Sequence, residues 1–222
     1  MRRIVLIAIS AIMALVVAVP IASGQTTPTA TDTQTLGELG AEWWTWALEE
    51  PVPTNPLQDK HKASQCKGTT SFEGGEVLFL AGTTSGNEVT RKCTVTSETW
   101  LFFPVVNTVE LEPTGTKTEE ELRRIVNDRL DLNLNGSTMF ATVDGEPIAI
   151  SEEENRADTP LFTVDLPKNN IFGVKPEPYE AVADGVWVLL PPLSEGTHTI
   201  TFGGTFRNGA FSQNNTYILK VV

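Results

Sequence analysis

Ala183-Asp184-Gly185-Val186-Trp187-Val188-Leu189-Leu190, then Leu193-Ser194-Glu195-Gly196-Thr197-His198-Thr199-Ile200-Thr201-Phe202, reads as two strands joined by a turn. The Asp-Gly pair introduces the first run, Ser-Glu-Gly ends the connection, and the second run alternates at period two. The same grammar recurs on either side. Thr138–Val143 is followed by Asp144-Gly145, a hairpin pair. Leu161–Leu166 stops at Pro167, and Thr216–Val222 is a last strand. Upstream, Glu76–Ala81 is a nearly continuous apolar run, residues 82–87 are a turn cluster, and Glu88–Val95 returns. Trp100–Val106 is another strand. Pro104 has no N–H to give a ladder, so it belongs at an edge or a bulge. Threonine supplies 29 of 222 residues, which suits pleated, half-buried surfaces. Eight or nine short strands punctuated by Gly, Pro and Asx predict a mainly β chain, an antiparallel β-sandwich or jelly roll. Helices do not alternate regularly with strands, which disfavours a parallel α/β sheet.

Two helices are predicted to pack on the sheets, over 36–50 and 119–130. Thr35 and Glu38 have capping-box spacing, and Pro51 stops the first helix. Leu36, Leu39, Trp43, Trp46 and Ala47 fall on one face, so Trp43 and Trp46 are expected to be structural anchors. Trp44 lies at the edge of that face. Thr118 and Glu121 form a second capping box, followed by Leu122, Ile125, Val126 and Leu130 at helical spacing, with Glu119–Arg123 and Glu120–Arg124 as i,i+4 pairs.

Working outward to the N-terminus, Arg2-Arg3, the apolar run Ile4–Val19 and Ala22-Ser23-Gly24 have the order of a secretory signal peptide over 1–24. Residues 25–35 hold little to bury and read as a flexible Thr-rich tether; 36–222 reads as one sandwich domain. The expected location is extracytoplasmic, secreted or at the cell surface or periplasm. Membrane attachment is expected only if the N-terminal segment stays uncleaved. Net charge is −12 and becomes −14 without Arg2 and Arg3, which argues against a nucleic-acid partner. In an oxidising compartment the pair Cys66 and Cys93 reads as a disulfide.

Several motifs carry a resemblance. They are Trp43-Trp44-x-Trp46-Ala47-Leu48 with Asn55-Pro56-Leu57, then Phe79-Leu80-Ala81-Gly82, Arg91-x-Cys93-x-Val95 and Leu101-Phe102-Phe103-Pro104-x-x-Asn107. Val143-Asp144-Gly145-x-Pro147 and Asp184-Gly185-x-Trp187-Val188-Leu189-Leu190 follow, with Gly196-x-His198-x-Ile200-x-Phe202-Gly203-Gly204. Together they resemble a family of exported bacterial proteins of uncharacterised function. The likeness covers most of 41–222 and implies secretion and a single domain. Separately, Leu193-x-x-Gly196-x-His198 resembles the corner of Ig-like sandwiches. There a tyrosine bonds to backbone, and His198 is expected to take that structural part.

Sites with chemical content are few. Asp131-x-Asn133-x-Asn135-Gly136 matches the first half of a calcium loop. Its twelfth position is Thr142 instead of Glu, so no cofactor is expected, with calcium at Asp131, Asn133 and Asn135 as the alternative. Glu152-Glu153-Glu154 with Asp158 reads as a solvated acidic loop before a cation site. His61, between two lysines, has no assigned role. Trp44 is the candidate ligand-binding residue, an indole able to stack on a flat ligand. No nucleophile-elbow, zincin or phosphate-loop pattern occurs, and no catalytic residue is nominated. The expectation is a non-catalytic binding or envelope-associated module whose partner is a glycan, a protein or the cell envelope. The alternative is an exported hydrolase acting on glycans with two carboxylates.

Overall fold

The computed structural model describes residues 32–58, 66–130, 138–206 and 211–222. The signal peptide, most of the tether, His61 and the Asp131-Asn133-Asn135 half-loop lie outside these residues. Among the described residues no helix is long and apolar enough to cross a membrane.

Two sheets pack face to face, and a helix covers the outer face of one. The first sheet runs β1 (Thr69–Phe72), β2 (Gly75–Phe79), β4 (Trp100–Pro113), β9 (Pro178–Leu190) and β7 (Arg156–Asp158), with β8 (Phe162–Asp165) also on β9. The second runs β3 (Glu88–Val95), β11 (Phe211–Val221), β10 (Gly196–Phe206), β5 (Thr138–Val143) and β6 (Glu146–Pro147). Most ladders are antiparallel; β2–β4 and β3–β11 are parallel. The chain is a β-sandwich, as its strand pattern predicts.

The core between the sheets joins Leu101, Phe103, Val186, Val188 and Leu190 to Ile200, Phe202, Tyr217 and Leu219. Phe103 and Phe202 stack across it with centroids 4.4 Å apart. A second core lies on the outer face of the first sheet. There Phe102, Trp187 and Leu189 meet Leu36, Leu39, Trp43 and Leu48 of α1 (Thr33–Glu49). Burial on both faces explains why β9 is a nearly unbroken apolar run. Each such side chain contributes about 1.5–3 kcal/mol by leaving water.

Three boundaries differ from the sequence reading. α1 starts at Thr33, three residues early, because Asp32, not Thr35, is the N-cap and accepts from the Thr35 N–H at 2.7 Å. The tether reading therefore fails over 32–35. Strands β4 and β9 extend to Pro113 and back to Pro178 by pairing with each other from Leu101–Leu190 to Pro113–Tyr179. Glu152-Glu153-Glu154 forms one turn of helix, α3 (Glu152–Asn155), capped by Ser151. A loop was expected there, and the cap satisfies the otherwise orphaned N–H of Glu154.

In α2 (Glu119–Arg129) both halves of the Thr118–Glu121 capping box are made. Arg123 pairs with Glu119 at 2.6 Å, while Arg124 meets Asp128 at 3.4 Å and not Glu120. The disulfide Cys66–Cys93 is formed and ties the segment before β1 to β3.

Candidate functional site

Pro104 sits where the β4–β9 register shifts, between Pro104 and Val106. The bulge turns both Val105 and Val106 into the core between the sheets. It thereby resets the parity of β4, so that Asn107, Val109 and Leu111 follow on the outer face, with Val109 and Leu111 packed against the outer core. Proline thus marks the bulge that the sequence predicts and aims Asn107 away from the core.

That outer stretch of β4 floors a cavity of about 280 Å³. Its walls come from Trp43 and Trp44 of α1, Leu57, the 82–84 loop, Phe172 and Gln213. Among the described residues, no Asp, Glu, Lys, Arg or His lines it. The apolar wall carries two buried hydrogen-bond donors without a partner, Trp44 Nε1 and Asn107 Nδ2. Trp44 is 7% exposed, so bulk water does not satisfy its indole N–H. An unmade bond of this kind costs on the order of 1–3 kcal/mol.

The walls are held by named bonds. Asn55, fully buried, donates to the carbonyls of Ala47 and Glu50 at 2.8 Å and accepts from the Leu57 N–H at 2.9 Å. Asn170 does the same for the loop carrying Phe172: its amide donates to Pro167 and Val174 carbonyls, and its oxygen accepts from Phe172 and Val174 N–H groups. Gln213 donates to the Val105 carbonyl at the bulge (3.0 Å). Arg91, 3% exposed, reaches from β3 through the sandwich. Its guanidinium donates to the carbonyls of Ala81, Gly82 (3.0 Å) and Pro56 (3.3 Å) and to the Tyr217 hydroxyl (3.1 Å). It thereby ties the 55–57 and 81–83 segments, both cavity walls, to the second sheet.

Two other polar clusters contain residue types that catalysis uses. His198 Nδ1 lies 2.7 Å from Asp144 Oδ2, and Ser194 Oγ lies 3.4 Å from Nε2, superficially a nucleophile triad. Nε2, however, is closer to the Ser194 carbonyl oxygen, at 2.9 Å. Both ring nitrogens face acceptors, a pattern that the doubly protonated ring satisfies. A ring in that state cannot take the serine proton. Burial opposes the charge of His198, but the Asp144 bond, the Ser194 carbonyl and the Asp144 charge outweigh it and raise its pKa above the ordinary 6.5. The bond to Ser194 is the corner bond anticipated from Leu193-x-x-Gly196-x-His198. The ring sits at the rim of the sandwich, partly exposed, not buried within it.

In the second cluster Arg156 pairs with fully buried Asp184 at 2.6 Å and with Glu152 at 3.3 Å, and donates to the Leu130 carbonyl at the end of α2. Burial pushes Asp184 up to about 6, against the downward pull of Arg156. The cluster joins α2, α3 and β9, and none of its residues lines the cavity beside α1. Among the described residues no group of three or more His, Cys, Asp and Glu side chains is arranged to hold a metal ion.

Of the residues singled out from sequence, Trp43 is buried and donates from Nε1 to the Leu80 carbonyl at 3.1 Å, and Trp46 packs beside it against Phe79. Trp44 stands in the cavity wall. Asn107, Phe172, Gln213 and Arg91 went unnoticed as site residues. One signal was available for Arg91: it shares the parity of Cys93 in a strand whose other face is polar, which places a cation inward.

No family model and no curated protein sequence matches the chain. Two solved structures are similar in part. One is the cysteine protease inhibitor EhICP2 from Entamoeba histolytica, at 10% identity over 60% of this chain and 95% of that one, with a TM-score of 0.20. The other is a chain of the structure of PbICP-C in complex with falcipain-2, at 12% identity over 66% and 97%, with a TM-score of 0.22. Both neighbours are distant in geometry as well as sequence, and neither assigns a function to this chain.

Proposed function

We propose that this protein is an exported, disulfide-bonded binding module that takes a small, largely apolar ligand in the cavity between α1, the 82–84 loop and β4. The observation that carries this reading is the wall itself, apolar and, among the described residues, free of charged side chains. The volume lies near the lower end of small-molecule sites and accommodates roughly ten non-hydrogen atoms. Trp44 acts there as an apolar wall. Export is supported by the signal-peptide pattern and by the disulfide, which persists in oxidising compartments. The hydrolase alternative needs two carboxylates flanking a cleft; among the described residues none stands on this wall, which favours the binding reading.

The test is calorimetric titration and thermal shift with a panel of aryl and branched aliphatic compounds of that size. Thr84→Phe, at an exposed position on the wall, should block binding without unfolding the protein. If no compound binds at millimolar concentration, or if Thr84→Phe binds as the wild type does, the cavity is not a ligand site.

A further inference from the structure

Resting on that reading, we infer that the ligand is an extended peptide, which adds as a strand to the unpaired edge of β4 and seats an apolar side chain in the cavity. β2 pairs with β4 only from Trp100 to Phe102. From Asn107 to Leu111, β4 has β9 on one side and, among the described residues, no strand on the other. The ladder decides which groups face that open edge. Val109 stands opposite Ala183. Ala183 turns its own backbone away from β4, its N–H donating to the Thr159 hydroxyl at 2.9 Å and its carbonyl accepting from the Thr159 N–H at 2.8 Å. Val109 and Ala183 are therefore a non-hydrogen-bonded pair, and the N–H and carbonyl of Val109 point to the open edge. Arg129 meets that carbonyl there, donating at 2.9 Å. Asn107 and Leu111 share the parity of Val109. The N–H groups of all three, and the carbonyls of Asn107 and Leu111, have no hydrogen-bond partner among the described residues. Such an edge alternates donor with acceptor and repeats every two residues, roughly 6.6 Å. The group that matches this order and spacing is another β-strand.

A second observation concerns side chains. Asn107 and Val109 line the cavity beside Trp44. Further along the same face, Leu111 and Pro113 line a second hollow of about 400 Å³ with Val174 and Tyr179, and Phe172 borders both. Phe172 and Val174 are 45% and 40% exposed, large apolar side chains that the fold leaves in solvent. An added strand drops one side chain into the cavity and its next neighbour on that face, about 7 Å along, onto Leu111 and Val174. Main-chain bonds then supply affinity, and the two hollows select apolar residues at alternate positions. Glu112, the one acid of the second hollow, is paired with Lys117, so the fitting peptide is uncharged through this stretch. A free small molecule fills the cavity but leaves the edge groups of β4 unpaired.

The probe is acetyl-Ser-Phe-Thr-Leu-Ser-amide, titrated by calorimetry beside the aryl compounds named above. Two N-methylated forms are compared, one methylated at Phe and Leu, the other at Thr and the last Ser. In either strand direction only one of these alternate sets of amides faces β4. One form should therefore bind about tenfold or more weakly, the effect of two lost hydrogen bonds, and the other within about twofold of the parent. Hydrogen exchange reads the protein's side. Without peptide, the amides of Asn107, Val109 and Leu111 should exchange faster than those of Thr108, Glu110 and Glu112, and the peptide should slow them. Equal losses from the two methylated forms, or edge amides already protected in the dilute free protein, would overturn strand addition. Protection that arises only as the protein is concentrated would assign the edge to a second copy of the chain, and would overturn it equally. Aryl compounds that bind where the peptide does not would overturn it and leave the cavity reading standing. Failure of both to bind would remove both.

Discussion

Tyr217 illustrates how one side chain links the two sheets. Its hydroxyl accepts from the Ala81 N–H at 2.8 Å, donates to the Ala81 carbonyl at 3.0 Å, and accepts from Arg91. Tyr217→Phe keeps the ring but leaves a buried N–H and a guanidinium N–H unpaired. It should cost about 1–3 kcal/mol in chemical denaturation; a neutral effect would mean that the Arg91 cluster is not the tie described. His198 and Asp184 make separable predictions about pH. The pKa of His198 is raised in the fold, so its stabilisation is complete below the ordinary 6.5 and is lost as pH rises through the higher native value. Asp144→Asn should remove that loss, seen as a flatter curve of unfolding free energy above about pH 6.5. Asp184 is raised from 3.8 to about 6. The native state then holds its proton longer than the unfolded chain, so stability should fall as pH climbs from about 4 to about 6. Asp184→Asn should lose that slope alone. Should the two variants flatten the same region, the assignment of the two groups is wrong.

At the scale of the element, α1 shows propensity yielding to packing. Gly37 and Gly40 lie inside the helix, where each costs roughly 1 kcal/mol relative to alanine. A Cβ on Gly37 would stand 2.4 Å from the Asp158 carbonyl oxygen, and one on Gly40 would stand 2.9 Å from the Trp187 ring. The glycines let the helix lie close on β7 and β9. Gly37→Ala should therefore lower the melting temperature, although propensity alone predicts a rise of stability; a higher melting temperature would refute the close approach. Trp43→Ala should cost about 3–5 kcal/mol, since its ring packs against Trp44, Trp46 and Trp187 and its N–H is bonded. Trp44→Phe retains most of the packing and removes a donor that has no partner, so its effect on stability should be within about 1 kcal/mol, which thermal unfolding can check. The tryptophan face of α1 was legible because helical periodicity is a local property. The three-residue shift of its start was not, since Asp32 and Thr35 are both competent caps and only the packed position of the helix chooses between them.

For the whole molecule, the disulfide closes a loop with a sequence separation of 27 residues. Replacing both cysteines with serine should lower stability by roughly 3–4 kcal/mol in the chain-entropy account, measurable by denaturant unfolding; an unchanged midpoint would show that β3 is held without it. Local sequence determined the strands by their alternation, the capping box of α2, and the Asp144-Gly145 hairpin, whose residues both take positive φ, 54° and 85°. It also marked Pro104 as a ladder defect and the two cysteines as partners. These depend on side-chain period and on backbone preferences that act within a few residues. The cavity was decided only by tertiary structure. Its wall draws Trp44, Leu57, Gly82, Asn107, Phe172 and Gln213 from separate elements, and the register shift at Pro104 is what turns Asn107 outward. Whether a buried donor or cation finds a partner depends on which distant backbone arrives beside it, and no local period encodes that meeting.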